Sequence, residues 1–482
     1  MAEIQLIRGG HIVCLDQAGT VYAGGDILIE DDIIVAVGAV PSEMASRATR
    51  VVDARNRIVF PGLVNGHSHS PLAYAKGAYD LANHRAALWM FQAFTAGRTR
   101  DEIYASTLLN CIEMLLTGTT AVIDHFPEQG FMLDDVEPVV AAYRDCGMRA
   151  IVALRIFDEP YRDIYPPDGE FSPELTQALK ANDPLAVKPA KELLALCEAA
   201  IDRHHGRDGM IQIAPAPSNP MRCTDELLRG CQDLAVRRDT IVHCHLLETA
   251  VQGRIAQQRY GTTMVRHLDG IGVLTDRLSC AHTIWIDQDD IELMAARRSI
   301  VVHNPESNVR GGSGIAPIAR MIKAGVPVAI GADGSPSGGN QALQHSMRLA
   351  TIIGRPQTAD LKQWVQTRDV MRMATEGGAI AMGLQGKIGA LASGYRADLA
   401  LYDLRSPWWT PLNDPVHQYV YCETGSSVTD VMIAGRWVVE SRAIKTFDAG
   451  AVLAEAGAIF ARIQERNAGL MKLSSALAAA VV

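Results

Sequence analysis

Between Pro61 and Gly383, short β-branched runs alternate with longer amphipathic stretches. This alternation predicts parallel strands joined by helices, since a helix is the usual crossover between parallel strands. Eight such runs over roughly 320 residues favour a (β/α)8 barrel, with an open doubly wound sheet as the alternative. The strand candidates are the run ending at His67, Thr120–Ile123, Ala150–Leu154, Met210–Ala214, Thr240–His245, Leu278–His282, Ile300–His303 and Val326–Ile330.

The two ends of the chain have a different texture, with short strand-like runs and turns in residues 3–57 and again beyond Gly383. Each end is too small to form a core of its own. We therefore expect one small β domain from residues 1–60 plus 384–482, ending in a helix at Asp448–Leu470. The α/β barrel, residues 61–383, is then inserted between its halves. The barrel helices are expected at Asp101–Leu116, Pro189–His204, Thr224–Arg237, Asp289–Arg297 and Gly314–Ala324.

Charge and cysteine content exclude several classes of protein. The net charge is −9, from 45 basic and 54 acidic residues, and basic residues do not cluster. Nucleic acid and acidic membrane surfaces are therefore not expected as partners. The nine cysteines show no Cys-x-x-Cys spacing, which indicates reduced thiols in a cytoplasmic protein. No apolar run reaches the length that a membrane span requires.

Polar side chains follow the candidate strands at the points where the strands end. In a parallel barrel these ends meet at one face, where reactive groups gather. His67 and His69 come first, and their i, i+2 spacing puts both imidazoles on one side of an extended segment. The later strand ends carry His243, His245, Glu248, His282, His303 and Asp333.

Several of these residues also have purely structural interpretations. His243 is expected to support a ligand through a hydrogen bond. His303 could fix a loop, Asp333 could cap the segment after its strand, and Glu248 could be a solvated residue near a helix start. Lys76 lies in a polar loop after the first histidine pair, where solvation is an equally simple interpretation.

Six segments together resemble one known family. They are PGLVNGHSHS at 61–70, HCHLLET at 243–249, CAHTIWID at 280–287, VVHNPESN at 301–308, GIAPIARMIKAGVPVAIGADG at 314–334 and ASGYRADLALYDL at 392–404. In this order they resemble the amidohydrolase superfamily, in its branch of cytosine deaminases, S-adenosylhomocysteine deaminases and triazine hydrolases. The resemblance covers essentially the whole chain. It implies a metal-dependent (β/α)8 TIM barrel with a flanking β-sandwich built from both termini.

The resemblance also implies a metal site and catalytic groups. By position, the metal ligands are His67, His69, His245 and Asp333, and the catalytic residues are Glu248, His282 and Asp333. Three imidazoles and a carboxylate suit one divalent ion, Zn²⁺ by preference, although iron also accepts such ligands. The strand near Ala150–Leu154 offers no lysine that could bridge two metals. We therefore expect a mononuclear centre.

The expected chemistry is hydrolytic deamination. A bound metal lowers the pKa of water towards neutrality, so that hydroxide is available. Asp333 and His282 would orient this nucleophile, and Glu248 would protonate a ring nitrogen of the substrate. Water then replaces the amino group and ammonia leaves.

The substrate is less well defined by the sequence. Adenosine-type deaminases of this branch tend to have an arginine and a histidine where this chain has Lys76 and Ala216, so a bare base, pterin or triazine is favoured over a nucleoside. We expect substrate contacts from Lys76, Asn219 and His303. The segment Arg155–Asp183 is expected to form a long loop over the barrel mouth.

Other activities stay open at this point. A related hydrolase could expel alkylamine or chloride from a triazine, or cleave a urea or carbamate. A relative that binds a ligand without catalysis is a third possibility. In each case the partner is a small molecule, and relatives of this kind imply a homodimer or a higher homo-oligomer.

Overall fold

The structure is a computed structural model that describes residues 3–80, 84–128, 130–159, 172–181, 187–206 and 209–481. Its strands, in chain order, are β1 (Ile4–Val13), β2 (Val21–Glu30), β3 (Ile33–Gly38), β4 (Arg50–Asp53), β5 (Arg57–Pro61), β6 (Leu63–Ser68), β7 (Thr119–Phe126), β8 (Arg149–Ile156), β9 (Ile211–Pro217), β10 (Val242–Leu246), β11 (Leu278–His282), β12 (Ile300–His303), β13 (Val328–Ile330), β14 (Leu399–Asp403), β15 (Val428–Ile433), β16 (Arg436–Glu440) and β17 (Ala443–Ile444).

Helices cover and connect these strands. They are α1 (Ser42–Ala45), α2 (His84–Thr95), α3 (Arg100–Leu116), α4 (Val136–Cys146), α5 (Pro173–Ala181), α6 (Ala190–His204), α7 (Asp225–Arg237), α8 (Ala250–Tyr260), α9 (Met264–Gly270), α10 (Gln288–Arg297), α11 (Pro305–Arg310), α12 (Ile318–Ala324), α13 (Ser335–Gly338), α14 (Leu343–Ile352), α15 (Thr367–Arg372), α16 (Gly378–Ala381), α17 (Pro415–Tyr421), α18 (Ala449–Arg466) and α19 (Ala468–Val481). Among the described helices, none is both long enough and apolar enough to cross a membrane.

Strands β6 to β13 form the barrel as two parallel four-stranded sheets, β6 to β9 and β10 to β13. Hydrogen bonds join the two sheets at both edges. The backbone N–H of His245 donates to the carbonyl of Ser218 at 3.2 Å, and the N–H of Asp333 donates to the carbonyl of His67 at 2.9 Å. The barrel is therefore closed, and the predicted fold class is confirmed. Its lower interior is filled by aliphatic side chains, including Ile123, Ile151 and Val302.

A second β layer flanks the barrel and is built from both ends of the chain. Its nine strands run β17-β16-β15-β14-β5-β1-β2-β3, with β4 paired to β1. Phe60 in β5 lies opposite Ala400 in β14, directly before the barrel begins. Across the junction, the buried Arg149 guanidinium pairs with Asp398 at 3.0 Å. The exact boundaries, 1–60 plus 384–482 for the β domain and 61–383 for the barrel, stay a prediction.

Most of the expected elements lie where the sequence placed them. Leu278–His282 and Ile300–His303 have the expected bounds, and the other barrel strands differ by a few residues at their ends. The capping box of Thr99 and Glu102 starts α3 one residue before the expected position. Strand periodicity and capping chemistry thus place the elements that position the strand ends.

Three expectations about the elements need correction. The helix expected at Gly314–Ala324 begins at Ile318. The C-terminal helix is two helices, because Asn467 leaves the helical conformation and donates its side-chain amide to the carbonyl of Ala96. The segment 155–183 is not one long loop, since it begins within β8 and contains α5, while residues 160–171 and 182–183 lie outside the described part of the chain.

Candidate metal centre and active site

Three imidazole nitrogens converge at the mouth of the barrel. The Nε2 atom of His69 lies 3.1 Å from that of His67 and 3.4 Å from that of His245. The Oδ1 atom of Asp333 lies 3.7 Å from His67 Nε2 and 3.4 Å from His69 Nε2. Ligands bonded to Zn²⁺ at about 2.0–2.1 Å in a tetrahedron are roughly 3.3 Å apart. These four separations therefore match the spacing of ligands around a tetrahedral metal ion.

The opposite nitrogen of each of these rings is already engaged. His245 Nδ1 donates to the carbonyl of Ser218 at 2.6 Å, and His69 Nδ1 contacts the Glu128 carboxylate. A carbonyl and a carboxylate accept hydrogen bonds, so the ring proton sits on Nδ1 in both residues. When all three rings are neutral, as metal binding requires, their Nε2 lone pairs face one another. This arrangement is unfavourable by itself and is resolved by a shared cation, so the donor set fits a divalent metal.

His243 supports His67 in the same way. Its Nε2 lies 2.8 Å from His67 Nδ1, and its own Nδ1 lies 3.0 Å from Ser279 Oγ. His243 is fully buried, so this chain of hydrogen bonds is shielded from water. His243 therefore contacts the candidate ligand His67 on the side away from the metal position. This is the position expected of a residue that supports a ligand through a hydrogen bond.

The backbone is turned sharply where the reactive side chains leave their strands. Leu247, His282 and Asp333 have positive φ angles of 49°, 73° and 61°. Such angles are costly for residues with a side chain and are tolerated where surrounding contacts hold them. Close packing helps to hold the backbone in this conformation. A Cβ on Gly331 would approach Asn304 Oδ1 to 2.3 Å and His67 Cβ to 2.9 Å, so there is no room for a side chain there. The site therefore depends on tight backbone packing around His67.

Glu248 and His282 lie beside the candidate metal position. His282 Nε2 is 4.0 Å from Glu248 Oε2 and 4.0 Å from Asp333 Oδ2. A molecule between these groups could exchange protons with both carboxylates and the imidazole. The structure therefore brings together all six of the metal-ligating and catalytic residues that the sequence proposed.

Burial and charge set the protonation of the ligands. Burial, together with the neighbouring histidines, lowers the pKa of His67 well below its ordinary value and that of His245 to about 3. Both rings are therefore neutral, which is the form that binds metal. Burial also acts to lower the pKa of His69, but the charges of Glu128 and Asp333 outweigh it and raise that pKa to about 9.

A pocket of about 70 Å³ opens above this cluster. One wall is apolar and is formed largely by α2 and the segment before it. The other side is polar and includes the carboxylate of Glu248, the candidate metal-ligating and catalytic imidazoles, and the guanidinium of Arg155. The apolar wall comprises Leu72, Tyr79, Ala87, Leu88 and Phe91, and the polar side includes Arg155, Ser218, Asn219, Glu248, His282 and Asp333.

The three expected substrate contacts have different positions. Asn219 lines the pocket. Lys76 does not line it, because its ammonium group pairs with the Glu113 carboxylate. His303 is buried at the end of β12 and also does not line the pocket. The substrate contacts of Asn219, Lys76 and His303 therefore stay predictions, and the pocket lining supports Asn219 among them.

Two pocket residues were missed in the sequence. Glu128 follows β7 after Phe126-Pro127, and Arg155 lies near the end of β8. Arg155 donates from Nε to Ser218 Oγ at 3.2 Å and holds the backbone carbonyl of Glu128. The rule that polar residues follow barrel strands applies to both. Neither residue belongs to a histidine or aspartate motif like those that mark the other strand ends.

Comparison with known proteins places this geometry in a family. A model of the amidohydrolase family matches residues 58–438. The chain belongs to the amidohydrolase family. This amidohydrolase is accordingly a divalent-metal-dependent hydrolase of carbon–nitrogen bonds, as the sequence predicted.

The amidohydrolase is similar to named deaminases over nearly its whole length. It is 34% identical over 454 residues to the 5-methylthioadenosine/S-adenosylhomocysteine deaminase of Syntrophobacter fumaroxidans, covering 93% of this chain and 95% of the relative. It is 31% identical to the 5'-deoxyadenosine deaminase of Methanothermobacter thermautotrophicus over 465 residues, 95% and 98% of the two chains. The predicted function, hydrolytic deamination of an amino-substituted heterocycle, is confirmed at this level.

Solved structures agree with the fold. An adenosine deaminase from Xanthomonas campestris with bound zinc has a TM-score of 0.83 and 28% identity, over 96% of this chain and 98% of that one. Atrazine chlorohydrolase from Arthrobacter aurescens, complexed with zinc, has a TM-score of 0.84 and 26% identity, over 95% and 100% of the chains. The amidohydrolase therefore shares its whole architecture with enzymes that act on amino-substituted and chlorinated rings.

Proposed function

We propose that this amidohydrolase replaces the amino group of a heterocyclic amidine with oxygen and releases ammonia. One observation carries the proposal. The Nε2 atoms of His67, His69 and His245 converge with Asp333 directly beside Glu248 and His282. Deamination needs both a nucleophile and a proton for the ring, and this arrangement offers a place for each.

We propose Zn²⁺ as the metal, held by His67, His69, His245 and Asp333. Three imidazoles and one carboxylate match zinc, and the zinc in two structurally similar enzymes supports this choice. Iron is the alternative that metal analysis would detect. When bound, the ion supplies a water nucleophile whose pKa is lowered towards neutrality.

The protein side chains handle the protons. Asp333 Oδ2 and His282 Nε2, 4.0 Å apart, would orient the attacking water and accept its proton. Glu248 would deliver a proton to the ring nitrogen next to the carbon under attack, which makes that carbon more electrophilic. The C–O bond forms as the ring C=N bond becomes a single bond. The amino group then takes the proton that Asp333 or His282 accepted from water. Its C–N bond breaks as the hydroxyl oxygen forms a C=O bond and returns its proton to Glu248, and ammonia leaves.

The first candidate substrate is a free base, pterin or triazine, which the sequence favours. The apolar side chains of Leu72, Tyr79 and Phe91 in the pocket lining suit contact with one face of a planar heterocycle. A nucleoside is the second candidate. It is favoured by the two relatives named as deaminases of adenosine derivatives.

Activity measurements on a substrate panel test these proposals. Zinc-reconstituted protein would be assayed on amino-purines, amino-pterins, amino-triazines and 5'-modified adenosines, with ammonia, alkylamine and chloride measured separately. Ammonia from a free base supports the first candidate, and ammonia only from the nucleosides supports the second. Chloride or alkylamine without ammonia would contradict deamination.

A cytoplasmic location and a homo-oligomeric state, both expected from the sequence, belong to the same proposal.

A further inference from the structure

A second group of possible metal ligands lies beside the first. His69, His125 and Glu128 each offer one ligand atom, and these atoms lie within 4.8 Å of one another. His125 is on β7, and Glu128 follows the same strand. The group shares His69 with the candidate metal centre but otherwise uses different side chains.

His125 is unusual because it is fully buried without a hydrogen-bond partner. Its exposed fraction is 0%, and neither ring nitrogen has a partner among the described residues. Buried polar atoms are normally paired, so an imidazole without a partner calls for an explanation. Neither ring nitrogen of His125 is therefore committed to a hydrogen bond within the described residues, so one of them can bind a ligand.

The surroundings of His125 offer ligands on one side and alanines on the other. Its ring centroid is 4.5 Å from that of His245 and 5.2 Å from that of His69. On the neighbouring strands, Ala153 is in register with His125, and Ala214 is in register with Ala153. The methyl groups of these alanines cannot satisfy the ring. Among the described residues, the metal-binding side chains grouped with His125 are His69 of the candidate metal centre and Glu128.

We propose that His125 and Glu128 form a second, weaker site for a divalent ion such as Zn²⁺, next to the mononuclear centre. The entering ion takes the Glu128 carboxylate and one nitrogen of His125, and water completes its coordination. No covalent bond within the protein changes, and the carboxylate moves from the Nδ1 hydrogen of His69 to the ion. His69 then loses the contact that fixes its orientation, so excess metal inhibits the enzyme.

The neighbouring charges make this site weaker than the first. The Arg155 guanidinium lies 4.0 Å from Glu128 Oε2, and a bound first ion would add further positive charge. Both repel a second cation. The second dissociation constant is therefore expected to exceed the first by about tenfold or more.

Metal binding by full-length protein tests this site without relying on turnover. Metal-free protein would be titrated with Zn²⁺ to a large excess by equilibrium dialysis, and with Co²⁺ to follow its absorption bands. Wild type is expected to bind a second ion after the first, whereas His125→Ala binds one. His303→Ala is the matched control, since His303 is a buried histidine with an unpartnered Nδ1 outside the group, and it should still bind two.

The possible outcomes separate this site from the proposed function. A wild type that saturates at one ion, or a His125→Ala protein that keeps the second, would overturn the inference. Loss of the first ion in His245→Ala concerns the primary centre only. If His125→Ala does not fold, His125→Leu provides the same comparison with the ring volume largely kept. Inhibition by excess Zn²⁺ should also disappear with the second ion.

Discussion

His282 donates its Nδ1 hydrogen to the Oδ1 atom of Asn308 at 2.8 Å. This bond fixes the ring so that the unprotonated Nε2 faces Glu248 and Asp333. Replacing Asn308 with leucine should lower kcat by about 10–100-fold with little change in KM or metal content, because the ring loses its tautomer and orientation. Asn340→Leu is the control, since the amide nitrogen of Asn340 pairs with His345, a histidine that does not line the pocket. An equal loss in both variants would contradict the role of Asn308.

Glu128 should act through His69. Its carboxylate contacts the Nδ1 atom of His69, and both side chains are buried. Glu128→Gln removes the negative charge, so the imidazole becomes a poorer ligand and the primary metal should bind about 10–100-fold more weakly. Competition with a chelator measures this affinity, and Glu113→Gln is a control at an acid that pairs with Lys76 instead. Unchanged affinity in Glu128→Gln would contradict this coupling.

Metal uptake should release a proton from His69. Although burial opposes it, Glu128 and Asp333 raise the pKa of His69 to about 9, so the metal-free ring is an imidazolium at pH 7.5. Binding requires the neutral ring, and about one proton should leave with each ion from this group. The release should fall as pH rises above 9, where the ring has already lost its proton. Calorimetry in buffers of different ionisation enthalpy measures it, and no pH dependence of the release would contradict the assignment.

Glu306 should reduce stability at alkaline pH. Burial raises its pKa from 4.5 to about 7, although Ser346 and Arg310 act in the opposite direction. The folded state therefore favours the protonated acid, and this contribution to stability is lost as pH rises through about 7. Glu306→Gln should raise the free energy of unfolding at pH 8 by about 1–3 kcal/mol, with little gain at pH 4. Denaturant unfolding of this variant beside the exposed Glu465→Gln checks it, and a gain that does not depend on pH would refute it.

The sequence predicted the barrel, and it predicted that the six central side chains lie together at its mouth, because both follow from local patterns. β-Branched runs mark the strands, and residues just after them gather at one face, so His67, His245 and Asp333 could be placed without coordinates. The features that the sequence could not predict depend on contacts between distant parts of the chain. The pairing of Lys76 with Glu113 and the break of the last helix at Asn467 both involve partners far along the sequence.

Glu128 combines a position that the sequence could predict with a contact that it could not. Its position after β7 was visible in the sequence, but its contact with His69 Nδ1 joins residues 59 positions apart. Local patterns can therefore nominate such a residue without assigning it a partner. The same holds for Asn308 and His282, which are 26 positions apart.

The most direct test of the account is ammonia release by zinc-loaded Glu248→Gln on the best substrate of the panel. Glutamine keeps the size of the side chain but cannot deliver the ring proton. The variant should therefore bind zinc as wild type does and lose turnover by about 10²–10⁴-fold. Full turnover with a normal zinc content would contradict the assignment of Glu248 as the proton donor and, with it, the proposed mechanism.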